Sequence, residues 1–207
     1  MKSIRDLYKI GKGPSSSHTM GPARAAEIFK SENPDAERYE VVLYGSLAKT
    51  GIGHGTDRVL RDVFAPKDVQ IVFAEHDPDD LKHPNTLDLS AFTGTEKTAS
   101  IRVESIGGGD IVVEGRPGLE PPEVYPENSF AEIAQFCAWR QVSLPQYVEM
   151  NEGPEIWDFL KTIWNTMRKE IQDGLSATGI LPGGLGVQRK AKYLYERQHA
   201  QEIPQVR

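Results

Sequence analysis

Cysteine is close to absent from this sequence. The single Cys137 can form no internal disulfide and can hold no metal cluster unaided. Long apolar runs are missing too. None approaches the roughly 18 residues of a membrane-spanning helix, and Met1-Lys2-Ser3-Ile4-Arg5-Asp6 opens on mixed sequence with no signal-peptide core. The expectation is a cytoplasmic protein without a membrane partner. Positive charge is also short: a formal net charge of -6 argues against nucleic acid, which needs a clustered basic field. A small anion held by backbone N–H groups stays compatible with that balance. With 38% hydrophobic and 26% charged residues in 207, the chain has the composition of an ordinary globular protein. Its length suits one large domain, or one of common size plus an extra piece.

What is there begins with a serine-rich run leading into Gly21-Pro22 and a helix over 23–30, with Ser and Thr as natural caps. Tyr39-Glu40-Val41-Val42-Leu43-Tyr44-Gly45 reads as a buried strand. Gly51-Ile52-Gly53-His54-Gly55-Thr56-Asp57 reads as a glycine loop that opens a helix over 58–64. A second strand covers 69–73 and a turn-rich loop 77–85. Strands at 100–105 and 110–114 form a hairpin about Gly107-Gly108-Gly109. The order implies an α+β fold, a mixed or antiparallel sheet with helices on one face. Four prolines between 115 and 128 lead out of the sheet, and helical periodicity resumes over 130–139 and 155–171. The domains expected are 1–150, with the sheet, and 151–207, helical, with a basic end that frays. The aromatic stripes around Phe130 and Phe136, and around Trp157 and Trp164, read as core.

Two segments carry chemistry. Ser15-Ser16-Ser17-His18-Thr19 sets hydroxyls, an imidazole and backbone N–H groups at a helix start, where the dipole and unpaired amides favour a carboxylate or phosphate. An ordinary capping loop accounts for the same composition, although the flanking Gly13-Pro14 and Gly21-Pro22 argue against a loose linker. In the second segment three glycines surround His54, so backbone can approach a ligand while the imidazole reaches it. Histidine suits proton abstraction near neutral pH, and the plain alternative is a turn whose histidine faces water. The spacing matches neither a Walker loop nor a dinucleotide fingerprint. His76, Asp77, Asp79, Asp80 and His83 lack regular ligand spacing and read as a solvated acidic loop. Cys137, in an apolar helical pattern, reads as a buried structural thiol, and Leu181-Pro182-Gly183-Gly184-Leu185 as a helix-helix turn.

Together these segments resemble the bacterial iron-sulfur L-serine dehydratases, or L-serine ammonia-lyases. The match is carried by Ile10-Gly11-Lys12-Gly13-Pro14-Ser15-Ser16-Ser17-His18-Thr19-Met20-Gly21-Pro22 and by Leu43-Tyr44-Gly45-Ser46-Leu47-Ala48-Lys49-Thr50-Gly51-Ile52-Gly53-His54-Gly55-Thr56-Asp57. His83-Pro84-Asn85, Asn151-Glu152, Gly179-Ile180-Leu181-Pro182-Gly183-Gly184-Leu185 and Arg189-Lys190-Ala191 continue it. The resemblance implies a β domain over 1–150, similar to an allosteric substrate-binding domain, and the opening helices of an α domain over 151–207. It implies a [4Fe-4S] cluster whose open iron takes the substrate hydroxyl as a Lewis acid, while a base removes the Cα proton and L-serine becomes pyruvate and ammonia. It makes His54 the base. Ser15, Ser16, Ser17, His18, Thr19, Gly53, Gly55, Thr56 and Asp57 become the substrate-binding residues, and no role falls to His83-Pro84-Asn85. The cluster ligands implied by the family lie later than this sequence runs. The expectation is therefore a C-terminally truncated chain, with a split enzyme or a diverged orphan as alternatives, and no metal ligands within it. The missing α-domain sequence, or a separate α chain, and a homo-oligomer are the implied partners. The competing functional reading is a non-catalytic module that senses a small anion or an amino acid.

Overall fold

The computed structural model describes residues 1–116, 122–182 and 186–202, so Gly183-Gly184-Leu185 of the expected turn lies outside the described residues. In chain order the elements are α1 (Ile4–Leu7), a π-helical turn (Ser16–Met20), α2 (Gly21–Glu32), β1 (Arg38–Leu43), α3 (Gly45–His54), α4 (Thr56–Phe64), β2 (Asp68–Phe73) and β3 (Thr86–Thr93). There follow β4 (Glu96–Gly107), β5 (Asp110–Val113), α5 (Phe130–Arg140), α6 (Leu144–Glu152), α7 (Ile156–Ser176) and α8 (Ala191–Glu202). Two compact units emerge, Gly11–Glu120 and the pair Met1–Ile10 with Pro121–Arg207.

The first unit is the α+β domain. Its sheet has the order β2-β1-β3-β4-β5. β1 runs parallel to β2, with Val41 opposite Ile71, and antiparallel to β3, with Val41 opposite Leu89. The β3–β4 and β4–β5 pairs are antiparallel. The parallel pair needs a crossover, which α3 and α4 supply. Period-two burial drives the layering. Tyr39, Val41 and Leu43 of β1 and Leu87, Leu89 and Ala91 of β3 are sealed from solvent with Phe29, Leu47, Leu60 and Phe64 from the helices. The opposite side of the sheet is polar. There Arg102 donates to both carboxylate oxygens of Asp88, which also accepts from the Tyr44 hydroxyl.

The central strand β3 is one the sequence pattern did not announce. Its Asp, Ser and Ala residues are weak strand formers, and its alternation becomes decisive only once strands pair on both sides.

The second unit has a small core of Tyr125, Ile133 and Tyr147, against which Met1, Ile4, Phe136 and Cys137 pack. Cys137 is half-buried there. Glu152 ties the amino terminus down, accepting from Ser3 Oγ, the Ile4 amide and the Tyr125 hydroxyl, each at 2.7 Å. Burial pulls the Glu152 carboxyl up, but those hydrogen bonds and the charge of Arg5 outweigh it and hold the group below the usual carboxylate range. The aromatic stripes expected in the core are only partly there. Phe136 packs on Tyr147, whereas Phe130, Trp157 and Trp164 are 72%, 41% and 58% exposed. A helical stripe shows that a face is apolar and leaves open what covers it.

Candidate active site

The serine-rich run folds as a single π turn that passes directly into α2. Ser15 stands at its N-cap and accepts from the His18 amide. Thr19 donates its hydroxyl to the carbonyls of Lys12 and Ser15. The turn brings the Ser15 and Ser17 hydroxyls to one ring nitrogen of His18, with Nδ1 3.3 Å from Ser15 Oγ and 3.0 Å from Ser17 Oγ. The other nitrogen, Nε2, lies 3.0 Å from Ser46 Oγ in the first turn of α3. His18 is thus pinned at both ends by hydroxyls and is 9% exposed.

Gly51-Ile52-Gly53-His54 is not the loop expected from its glycines: it forms the last turn of α3. Helix wins because the break falls later, at Gly55. That residue takes the left-handed conformation (φ 76°), caps α3 and starts α4. Gly51 is also closely packed, since a Cβ there would lie 3.1 Å from the Phe73 ring and 3.2 Å from Thr56 Oγ1, tight enough that those side chains would have to give by a few tenths of an ångström. As a helix, the segment sets Ser46, Thr50 and His54 at four-residue spacing on one face. Side chains lean toward the helix N-terminus, so His54 reaches back over Thr50, and the His18 and His54 rings come to 4.5 Å between centroids.

The tautomer of neutral His54 follows from its partner. Nδ1 lies 2.9 Å from the Thr50 carbonyl oxygen. A carbonyl only accepts, so Nδ1 carries the hydrogen and Nε2 keeps its lone pair. His18 differs. Burial first, then the neighbouring His54 imidazole, lower its pKa from the ordinary 6.5, against the hydrogen bond to Ser46, which raises it.

A lowered histidine pKa means that the unfolded chain takes up the proton first on acidification. The stability supplied by neutral His18 is complete above pH 6.5 and declines as the pH falls below it. Urea midpoints on either side of that pH are expected to drop more on acidification in the wild type than in His18→Gln. Equal drops would show that His18 is not held neutral.

The remaining expected residues divide by what their polar atoms do. The buried Thr56 hydroxyl donates to the His18 carbonyl at 2.7 Å, so Thr56, like Thr19, clamps the turn from below. Gly53, Gly55, Ser16 and Asp57 are half-buried. Sequence reasoning passed over Ser46 and Thr50, which the helical spacing of serine, threonine and histidine at 46, 50 and 54 would have revealed. It also gave no role to His83-Pro84-Asn85. Pro84 O accepts from the Ser46 amide at 2.7 Å, and Asn85 Nδ2 donates to Ser105 O at 3.4 Å. Among the described residues Asn85 Oδ1 and Ser105 Oγ are buried without a hydrogen-bond partner. Ser105 Oγ would also lie 2.0 Å from a Cβ on Gly21, at the start of α2, so this polar pair sits beneath the π turn.

Loop 74–85 contributes structure to the site. Asp77 accepts from the Gly45 amide at 2.7 Å, a carboxylate at the positive end of α3, and Asp80 pairs with Arg102. Among the described residues no group of three or more His, Cys, Asp or Glu converges to hold a metal. With Cys137 the sole cysteine, this chain's residues do not fit the ligand set of an iron-sulfur cluster.

Residues 3–62, which include the π turn and α3, match the family described as serine dehydratase beta chain. L-serine dehydratase 2 of Escherichia coli (strain K12) is 32% identical across 94% of this chain and 53% of its own length. L-serine dehydratase TdcG of the same strain is 33% identical across 92% and 53%. L-serine dehydratase of Mycobacterium bovis is 32% identical across 97% and 54%. The chain spans about half the length of the curated relatives it matches. With the two histidine-bearing segments brought together in residues 3–62, the chain is similar to the L-serine dehydratases along most of its length and to their beta chain in that region.

Proposed function

We propose that this chain provides the substrate-carboxylate cradle and the proton-abstracting base of an L-serine dehydratase, an ammonia-lyase that converts L-serine to pyruvate and ammonia. The observation that carries the reading is the imidazole pair: a buried His18 set among serine hydroxyls, and 4.5 Å from it the ring of His54, whose Nδ1 faces the Thr50 carbonyl and leaves Nε2 as the acceptor of the neutral ring. In this reading Ser15, Ser16 and Ser17 and the amides of the π turn hold the serine carboxylate. The helix start supplies the electrostatic attraction, and Thr19 and Thr56 hold the turn in shape. His54 Nε2 takes the Cα proton. Loss of that proton and of the β-hydroxyl gives aminoacrylate, whose imine hydrolyses to pyruvate and ammonia.

The [4Fe-4S] group of the family would supply Lewis-acid help to the departing hydroxyl. Its ligands must come from sequence other than this chain's, an α region either continuous with residues 151–207 or separate. The domain assignment of 1–150 and 151–207 and a homo-oligomeric, cytoplasmic enzyme belong to the same proposal.

Imidazole NMR signals provide the test. L-serine added to the chain is expected to shift the ring signals of both His18 and His54, and inorganic phosphate to leave them in place. Tight phosphate binding with none for serine would replace this reading with the anion-sensing module.

A further inference from the structure

Four large apolar side chains stand in solvent along α7: Trp157 (41% exposed), Trp164 (58%), Met167 (41%) and Ile171 (58%). With the half-buried Leu160 they occupy positions 157, 160, 164, 167 and 171, alternating steps of three and four. That is the a/d spacing of a helix-packing seam sustained over two heptads. It is not the face by which α7 packs in its own unit, since Ile156 and Ile163 on the adjoining face are 0% and 6% exposed. Trp157 is tied to α6 where its Nε1 donates to Glu149 Oε2 at 2.7 Å, while Trp164 and Ile171 stay more than half exposed. Exposed tryptophans in line are costly in water and common where a partner docks.

The flanks discriminate between occupants. One side of the seam carries exposed Lys161 and Arg168, four residues after each tryptophan. In an antiparallel pair of two copies these cations would face one another across the seam. In a parallel pair they would face Ile156 and Ile163, which are buried in their own unit. Neither arrangement satisfies them. A helix with an apolar seam and Asp or Glu on its flank does. Nearly half the length of the relatives has no counterpart in this chain, so a partner of that kind has an identifiable source.

We infer that the α7 seam receives an acidic-flanked amphipathic helix from the portion of an L-serine dehydratase that this chain does not span. The inference rests on the family reading above, but its test reads binding and not turnover. The full chain is mixed with the part of the Escherichia coli L-serine dehydratase 2 that has no match here, expressed as a separate polypeptide. The mixture is followed by light scattering and tryptophan emission. A one-to-one complex with blue-shifted emission is expected. Trp164→Asp and Arg168→Glu are each expected to weaken it by about tenfold or more. Both positions are exposed, so helical circular dichroism stays unchanged. The inference is overturned by the lack of a complex, by a complex indifferent to both substitutions, or by a homodimer that Trp164→Asp dissolves. A seam-dependent complex whose His18 and His54 signals ignore L-serine would keep the docking and remove the proposed active site.

Discussion

In the catalytically complete protein, His54→Asn is expected to lower kcat for L-serine by about 10²–10⁴-fold with KM nearly unchanged. Asparagine keeps a short polar side chain at the end of α3 but has no basic lone pair to take the place of Nε2. The effect should therefore fall on proton removal and spare the carboxylate contacts, which belong to the π turn. Steady-state kinetics with Cα-deuterated serine separates the cases. If His54 is the base, the slow variant shows a larger isotope effect than the wild type, because proton removal now limits the rate. An unchanged kcat would exclude His54 as the base, and a raised KM at constant kcat would make it a binding residue. His18 makes a poor alternative base in this geometry. Both its ring nitrogens already face serine hydroxyls, and its neutral form is the one the site favours.

Much of this candidate site is legible in the sequence, for a local reason. The π turn and the end of α3 are each built by contiguous residues, so glycine, proline and hydroxyl placement mark them directly. What the chain order hides is their meeting. His18 and Ser46 are 28 residues apart, and only the β1–β2 crossover brings α3 beside the π turn. The glycines around His54 also misled. Gly51 and Gly53 suggest a loop by propensity, yet Gly51 is buried in the helix with little room for a side chain beside Phe73 and Thr56. Strand β3 was hidden because its pairing on both sides, and not its residues, makes it a strand. In the helical unit, period alone assigned Trp157 and Trp164 to a core. Periodicity reports the direction of an apolar face, and the covering element has to be found separately.

Gly45→Ala is expected to destabilise the sheet-bearing unit by about 2–5 kcal/mol, combining the left-handed backbone term of roughly 1–2 with roughly 1–3 for overpacking. Gly45 has φ +52°, and a Cβ on it would lie 2.4 Å from the Pro84 carbonyl oxygen. That oxygen is backbone and cannot swing aside as a side-chain end would. It also accepts the Ser46 amide, while the Gly45 amide is held by Asp77. Relief of the clash therefore has to move the first turn of α3, and with it the Ser46 hydroxyl that faces His18 Nε2. The fitting comparison is Gly55→Ala, where φ is +76° but nothing lies within 4 Å of the added Cβ. That variant carries only the conformational term, about 1–2 kcal/mol. Urea unfolding is expected to give a clearly lower midpoint for Gly45→Ala than for Gly55→Ala at similar slopes. In Gly45→Ala, but not Gly55→Ala, the His18 ring signals should move before unfolding begins. Equal midpoints would mean that the chain yields easily at Pro84, and that the His83-Pro84-Asn85 segment does not hold Ser46 in place.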